Sequence, residues 1–161
     1  MVTVAKATIA DNIFETIYDI INVGITDPNP PDSGTRKWIF GSFPDGPIEP
    51  ISGVLSTAKG VSYPIITIGV PDTNWEKLTI TKKWVNVDIE ISVFHTSRNQ
   101  CVALRDQIND LLETSRLALK DLKLVMVNLE STTTDTEFRD EIKLHKTEST
   151  FSMRFSFTRT Y

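Results

Sequence analysis

Between Trp84 and Leu119 the chain changes its hydrophobic period without using a single Gly or Pro. In the first half Val85, Val87, Ile89, Ile91 and Val93 alternate with Asn86, Asp88, Glu90 and Ser92, the period of two of a strand with one buried and one wet face. From Cys101 onward Cys101, Leu104, Ile108, Leu111, Leu112 and Ser115 recur at intervals of three and four, which is one face of a helix. The switch falls at "HTSRNQ", where Thr96, Ser97 and Asn99 each offer an oxygen to cap the first helical turn.

The second constraint is an asymmetry in the chain-breaking residues. All 8 Pro and 7 Gly lie between Gly24 and Pro71, so residues 72–161 read as a compact block of strands and helix. Residues 24–62 read as a long, turn-rich excursion, and loops of this length inside a small domain are more often functional or ordered by a partner than idle. At 161 residues the chain suits one domain with a real core, so we expect a single domain over 1–161 with 24–62 ordered by assembly.

The remaining elements follow by pattern. Ile9, Ile13, Phe14, Ile17, Ile20 and Ile21 share one face of a helix over about 6–23, which Gly24 is placed to end. "RKWIFGSF" predicts a short strand, and "SYPIITIGVP" a buried strand from about Tyr63 to Val70. Leu78 to Phe94 is either a hairpin or one long bent strand, because Leu78 and Ile80 extend the alternation before Lys82 and Lys83. "LKLVMVNLE" predicts a strand from Leu122 to Leu129, "STTTDTEFRDE" a polar connection, and "HKTESTFSMRFSFTRTY" a final strand with Phe151, Met153, Phe155 and Phe157 on one face. The sum is an α+β fold with a mainly antiparallel sheet and helices on one of its faces.

Composition narrows the function by exclusion. A formal charge of −4 argues against a protein whose task is to grip nucleic acid by its phosphates. The single cysteine, Cys101, lies on the apolar helix face and reads as a small buried hydrophobe, not as a reactive thiol. Neither His95 nor His145 has a second His or Cys at metal-ligand spacing, and no phosphate-binding glycine loop or nucleophile elbow is present. No catalytic residue, cofactor or metal is therefore expected. The N-terminus lacks a targeting pattern and no apolar run is long enough to span a bilayer, so the reading is a soluble protein of the cytoplasm before any assembly, with no membrane partner.

The helix before the excursion, "YPIITIG", "VNVDIEISVF", "QCVALRDQINDLLE" and the closing "HKTESTFSMRFSFTRTY" together resemble the tail terminator and tail-completion proteins of long-tailed bacteriophages and related viruses. The resemblance covers nearly the whole chain and rests on residue types, not on an invariant signature. It implies a virion protein that forms a ring, usually hexameric, at the head-proximal end of the tail tube. Its implied partners are copies of itself, the tail tube protein and head-connector proteins, while DNA passes by without specific binding. A head-closure or neck connector is the nearest alternative, and a small cellular binding module or a hydrolase using Asp88 and Glu90 the more distant ones.

Two sets of residues are candidates for the assembly surfaces. Asn86, Asp88 and Glu90 form a polar strip facing a channel or a neighbouring subunit. Trp38, Phe40 and Phe43, embedded in the excursion, are expected to contact a neighbour because a small monomer has little core in which to bury them.

Overall fold

The computed structural model describes residues 5–30, 36–44, 63–77, 79–115, 119, 123–139 and 142–158, with side chains from Ala10 onward. In chain order the elements are α1 (Ala5–Gly24), β1 (Ile39–Phe40), β2 (Ile65–Ile68), β3 (Asp72–Lys77), β4 (Lys82–His95), α2 (Arg98–Thr114), β5 (Leu124–Arg139) and β6 (Ile142–Thr158). They make an α+β fold around one six-stranded sheet of order β1-β2-β4-β6-β5, with β3 beside the first half of β4. Among the described residues only the short β1–β2 pair is parallel, and every other pairing is antiparallel.

The alternation in β4 does what its period requires. Val85, Val87, Ile89, Ile91 and Val93 are buried, opposite Phe155, Met153, Phe151, Ser149 and Thr147 of β6. α2 lies on this face with Cys101, Leu104, Ile108 and Leu112 turned inward, and Ile13, Ile17 and Ile21 of α1 join the same core. Burying these branched side chains is the main source of stability, at about 25 cal/mol per Å² of apolar surface removed from water. The two helices meet at Gly24, where a Cβ would come within 2.5 Å of Leu111 Cδ2, so the close approach depends on the missing side chain.

The start of α2 differs from the capping expected of Thr96, Ser97 and Asn99. Ser97 holds the N-cap position in extended conformation, yet its side chain makes no cap bond. Instead its own backbone N–H donates to His95 Nδ1 at 2.9 Å, and its carbonyl accepts from Cys101 N–H at 3.0 Å. The strand end thus fixes the helix start.

Three strand assignments change. β3 occupies Asp72–Lys77, a polar stretch without apolar alternation, and the hairpin to β4 turns at Thr79–Thr81. Ile80, read as part of the alternation, is 74% exposed in that turn; Leu78 lies outside the described residues. The turn needs no Gly because Thr79 closes it, its Oγ1 accepting from Lys82 N–H at 2.9 Å and its N–H donating to Lys82 O at 3.0 Å. β5 does not stop at Leu129 but runs to Arg139, so the "polar connection" is a strand. It reads as polar because it is an edge strand that α2 does not cover, where alternation carries no burial signal.

β2 and β3 are two parts of one path along β4, separated at Gly69–Pro71. Gly69 N–H donates to Glu90 O at 2.8 Å, and a Cβ at that position would sit 3.3 Å from the same oxygen. Only a residue without a side chain fits there without a shift.

Candidate assembly surfaces

The opposite face of the sheet is divided in two. Toward the C-terminal end of β4 it carries a small second core of Tyr63, Ile65, Phe94 and Leu144, covered by Phe40, Phe43 and Ile142. Toward the N-terminal end it is an uncovered polar surface built on Asn86, Asp88 and Glu90. The strip expected from the sequence is therefore shorter than its alternation, because Ser92 is buried where the second core begins.

Each of the three strip residues has a different environment. Asn86 Oδ1 accepts a 2.7 Å hydrogen bond from Arg154 Nε, and the same guanidinium reaches Glu76 at 3.8 Å and lies 5.3 Å from the Trp84 ring. Asp88 is exposed and stands directly opposite Asp72 in the β3–β4 ladder, a like-charged cross-strand pair that works against stability. Glu90 is held above its ordinary value near 4.5, first by partial desolvation and then by the charge and hydrogen bonding of Glu148. Lys146, paired to Glu148 at 2.8 Å, opposes that shift and is itself raised by the hydrogen bond to Glu148. Arg154 and Lys146 on this part of the face are thus tied to carboxylates or to Asn86, while Asp72 and Asp88 stand together in water.

The aromatic candidates are placed differently from the expectation that motivated them. Trp38 is 5% exposed and part of the main core, and Phe40 and Phe43 are half-buried against the second one. Their own sheet covers most of their surface, so a shortage of core in the monomer is not a reason to bring in a neighbour at Trp38. The start of the excursion is pinned by Arg36, which makes two 2.7 Å bonds to Asp27 and a 3.2 Å bond to Pro64 O with both side chains largely buried. Such a fork is shape-specific as well as charged. Residues 31–35 and 45–62 of the excursion lie outside the described residues.

Sequence reasoning missed Arg154, Glu148, Lys146 and Asp72 as members of the strip. The alternation of Ser152, Arg154 and Ser156 marks a polar face, but only the β4–β6 register sets Arg154 opposite Asn86, 68 residues away. His95 and His145 are cross-strand neighbours, with Cys101 Sγ 3.2 Å from both the His145 and Val93 carbonyls. Burial raises the Cys101 thiol, and among the described residues no group of three or more His, Cys, Asp or Glu is placed to hold a metal. A half-open cavity of about 370 Å³ beside His95 is lined by Thr26, Asn29, Pro64, Gln100 and Gln107 among others, groups that offer hydrogen bonds but no carboxylate or thiol. No helix among the described residues is long and apolar enough to cross a membrane.

The described residues thus make a small α+β unit with a strand-helix core, a partly uncovered acidic sheet face and a long edge strand. The family model "Tail completion protein gp17" matches residues 53–156, well over half of the chain, from the excursion to near the end of β6. The chain belongs to this family of phage tail completion proteins and is a structural component of the virion tail. No curated protein shows significant similarity to it.

Proposed function

We propose that the chain forms a ring, hexameric in the simplest case, at the head-proximal end of the tail tube, where it ends tube growth and presents a surface to the head connector. It acts without catalysis, cofactor or metal, and it is assembled in the host cytoplasm. The observation that carries this reading is the tail-completion match over 53–156. The fold supports it: a closed ring needs two different complementary patches on every subunit, and the sheet has two different edges and one face that is only partly covered. In this reading the strip of Asn86, Asp88 and Glu90 lines the passage, where exposed carboxylates repel phosphate within a Debye length of about 8 Å at physiological salt and keep DNA from adhering.

Removing the gene and measuring tails by electron microscopy tests the proposal. Overlong or unjoined tails are expected. Tails of normal length beside heads that leak DNA would instead make the chain a head-closure protein.

A further inference from the structure

β5 is a 16-residue edge strand, and every residue from Ser131 to Thr136 is exposed. α2 buries Thr147 and Ser149 of β6, but their ladder partners Thr134 and Thr132 stay open. Natural edge strands are blunted by Lys, Pro, bulges or short length. This stretch has none of them: both bulges of β5 precede Ser131, and the six residues are four Thr, one Ser and the single charge Asp135.

The hydrogen bonds fix which backbone groups face outward. Gly69 N–H donates to Glu90 O, so even-numbered residues of β4 turn toward β2 and β3 and odd-numbered ones toward β6. Carried through the β4–β6 and β5–β6 registers, this directs Thr133 and Asp135 to β6 and Thr132, Thr134 and Thr136 outward. Two bonds agree: Ser156 N–H, on an even-numbered β6 residue, donates to Lys123 O before β5, and Thr136 N–H donates to the Asp135 carboxylate at 2.7 Å instead of to a strand.

The occupant follows from strand parity. β3, β4, β6 and β5 lie side by side and alternate in direction, and four is an even number. A copy beside the first with its helices on the same side therefore presents β3 antiparallel to β5; because Thr73 is level with Met153 of β6 and Thr134 with Thr147, the copy must also be shifted along the strands by about six residues to set β3 against Ser131–Thr136. The pleat returns in phase as well: the β3 residues directed away from β4, such as Thr73 and Lys77, lie on the helix side of the sheet, as do Thr132, Thr134 and Thr136. With an odd count either the direction or the pleat would fail.

We propose that Ser131–Thr136 of β5 is a strand-addition site for β3 of a second copy of this chain, so that the sheets of neighbouring subunits join edge to edge around the ring. The inference rests on the ring reading above. Hydrogen-deuterium exchange on the full chain, dilute and assembled, tests it: the amides of Thr132 and Thr134 are expected to slow at least tenfold on assembly, together with those of Thr73 and Lys77. Thr134→Pro removes an outward donor and is expected to abolish the oligomer in sedimentation while the monomer stays folded. Thr132→Lys with Thr134→Lys, which leaves every backbone group intact, is expected to do the same. Rings that form with unprotected Thr132 and Thr134, or that survive both variants, overturn the edge-to-edge joint and leave the ring reading standing. A chain that stays monomeric at every concentration and in the presence of tail tubes overturns both.

Discussion

The Arg139 guanidinium lies 3.8 Å from the centre of the Phe43 ring, and Phe43 in turn meets Phe94 edge-on at 4.8 Å. A residue near the tip of the β5–β6 hairpin thereby holds the end of the described excursion against the sheet, with Glu137 orienting the arginine at 2.7 Å. Phe43→Ala should cost about 2 kcal/mol, less than a fully buried Phe because the ring is half-buried, and Arg139→Ala about 0.5–1 kcal/mol. Urea unfolding of both single variants and the double variant measures them; an additive cycle would show that the two side chains do not act together.

His95 makes stability depend on mild acid. Burial, then the charges of Arg36 and His145, hold it below its ordinary value near 6.5, and its Nδ1 must be unprotonated to accept Ser97 N–H. The unfolded chain therefore binds the proton more readily, so stability falls as pH drops through 6.5 toward the lowered folded value. Thermal melts between pH 7.5 and 5 should show the decline, and His95→Gln should flatten it.

Glu90 has the opposite sign. Its folded value is raised, so the native state holds the proton longer, and stability contributed by this group falls as pH rises from 4.5 through the folded value. Glu90→Gln is expected to raise the Tm at pH 7 and to leave it unchanged well below pH 4.5. An equal gain at both pH values would show that the charge is not the cause.

Changing Asp88 and Glu90 together to Lys tests the lining. The ring is expected to assemble, since Asp88 and Glu90 are exposed in the subunit, while DNA leaves the particle more slowly as the passage gains phosphate contacts. Unchanged ejection from intact particles would remove these residues from the channel.

Cys101 should resist modification until the protein unfolds. It is fully buried, its thiol is raised chiefly by that burial, and its sulfur lies within 3.2 Å of two carbonyls. A thiol reagent is expected to react at the rate of global opening, and rapid labelling of the native chain would refute the packing described around it.

The strand-helix unit from Trp84 to Thr114 was legible because periodicity records burial, and burial is decided residue by residue on an amphipathic element. Val85, Val87, Ile89, Ile91 and Val93, with Cys101, Leu104, Ile108 and Leu112, are inside for that reason. The same rule hid β5 beyond Leu129: an edge strand exposed on both faces has no apolar period, and only its ladder with β6 makes Ser131–Arg139 extended. It also hid the second core, since Phe94 and Leu144 continue faces that are polar elsewhere and are buried only because the excursion folds over them. Charge was readable as composition but not as arrangement. Asp72 against Asp88, Arg154 on Asn86 and Glu148 beside Glu90 are products of register, and register is a long-range choice made by the packing of the whole sheet.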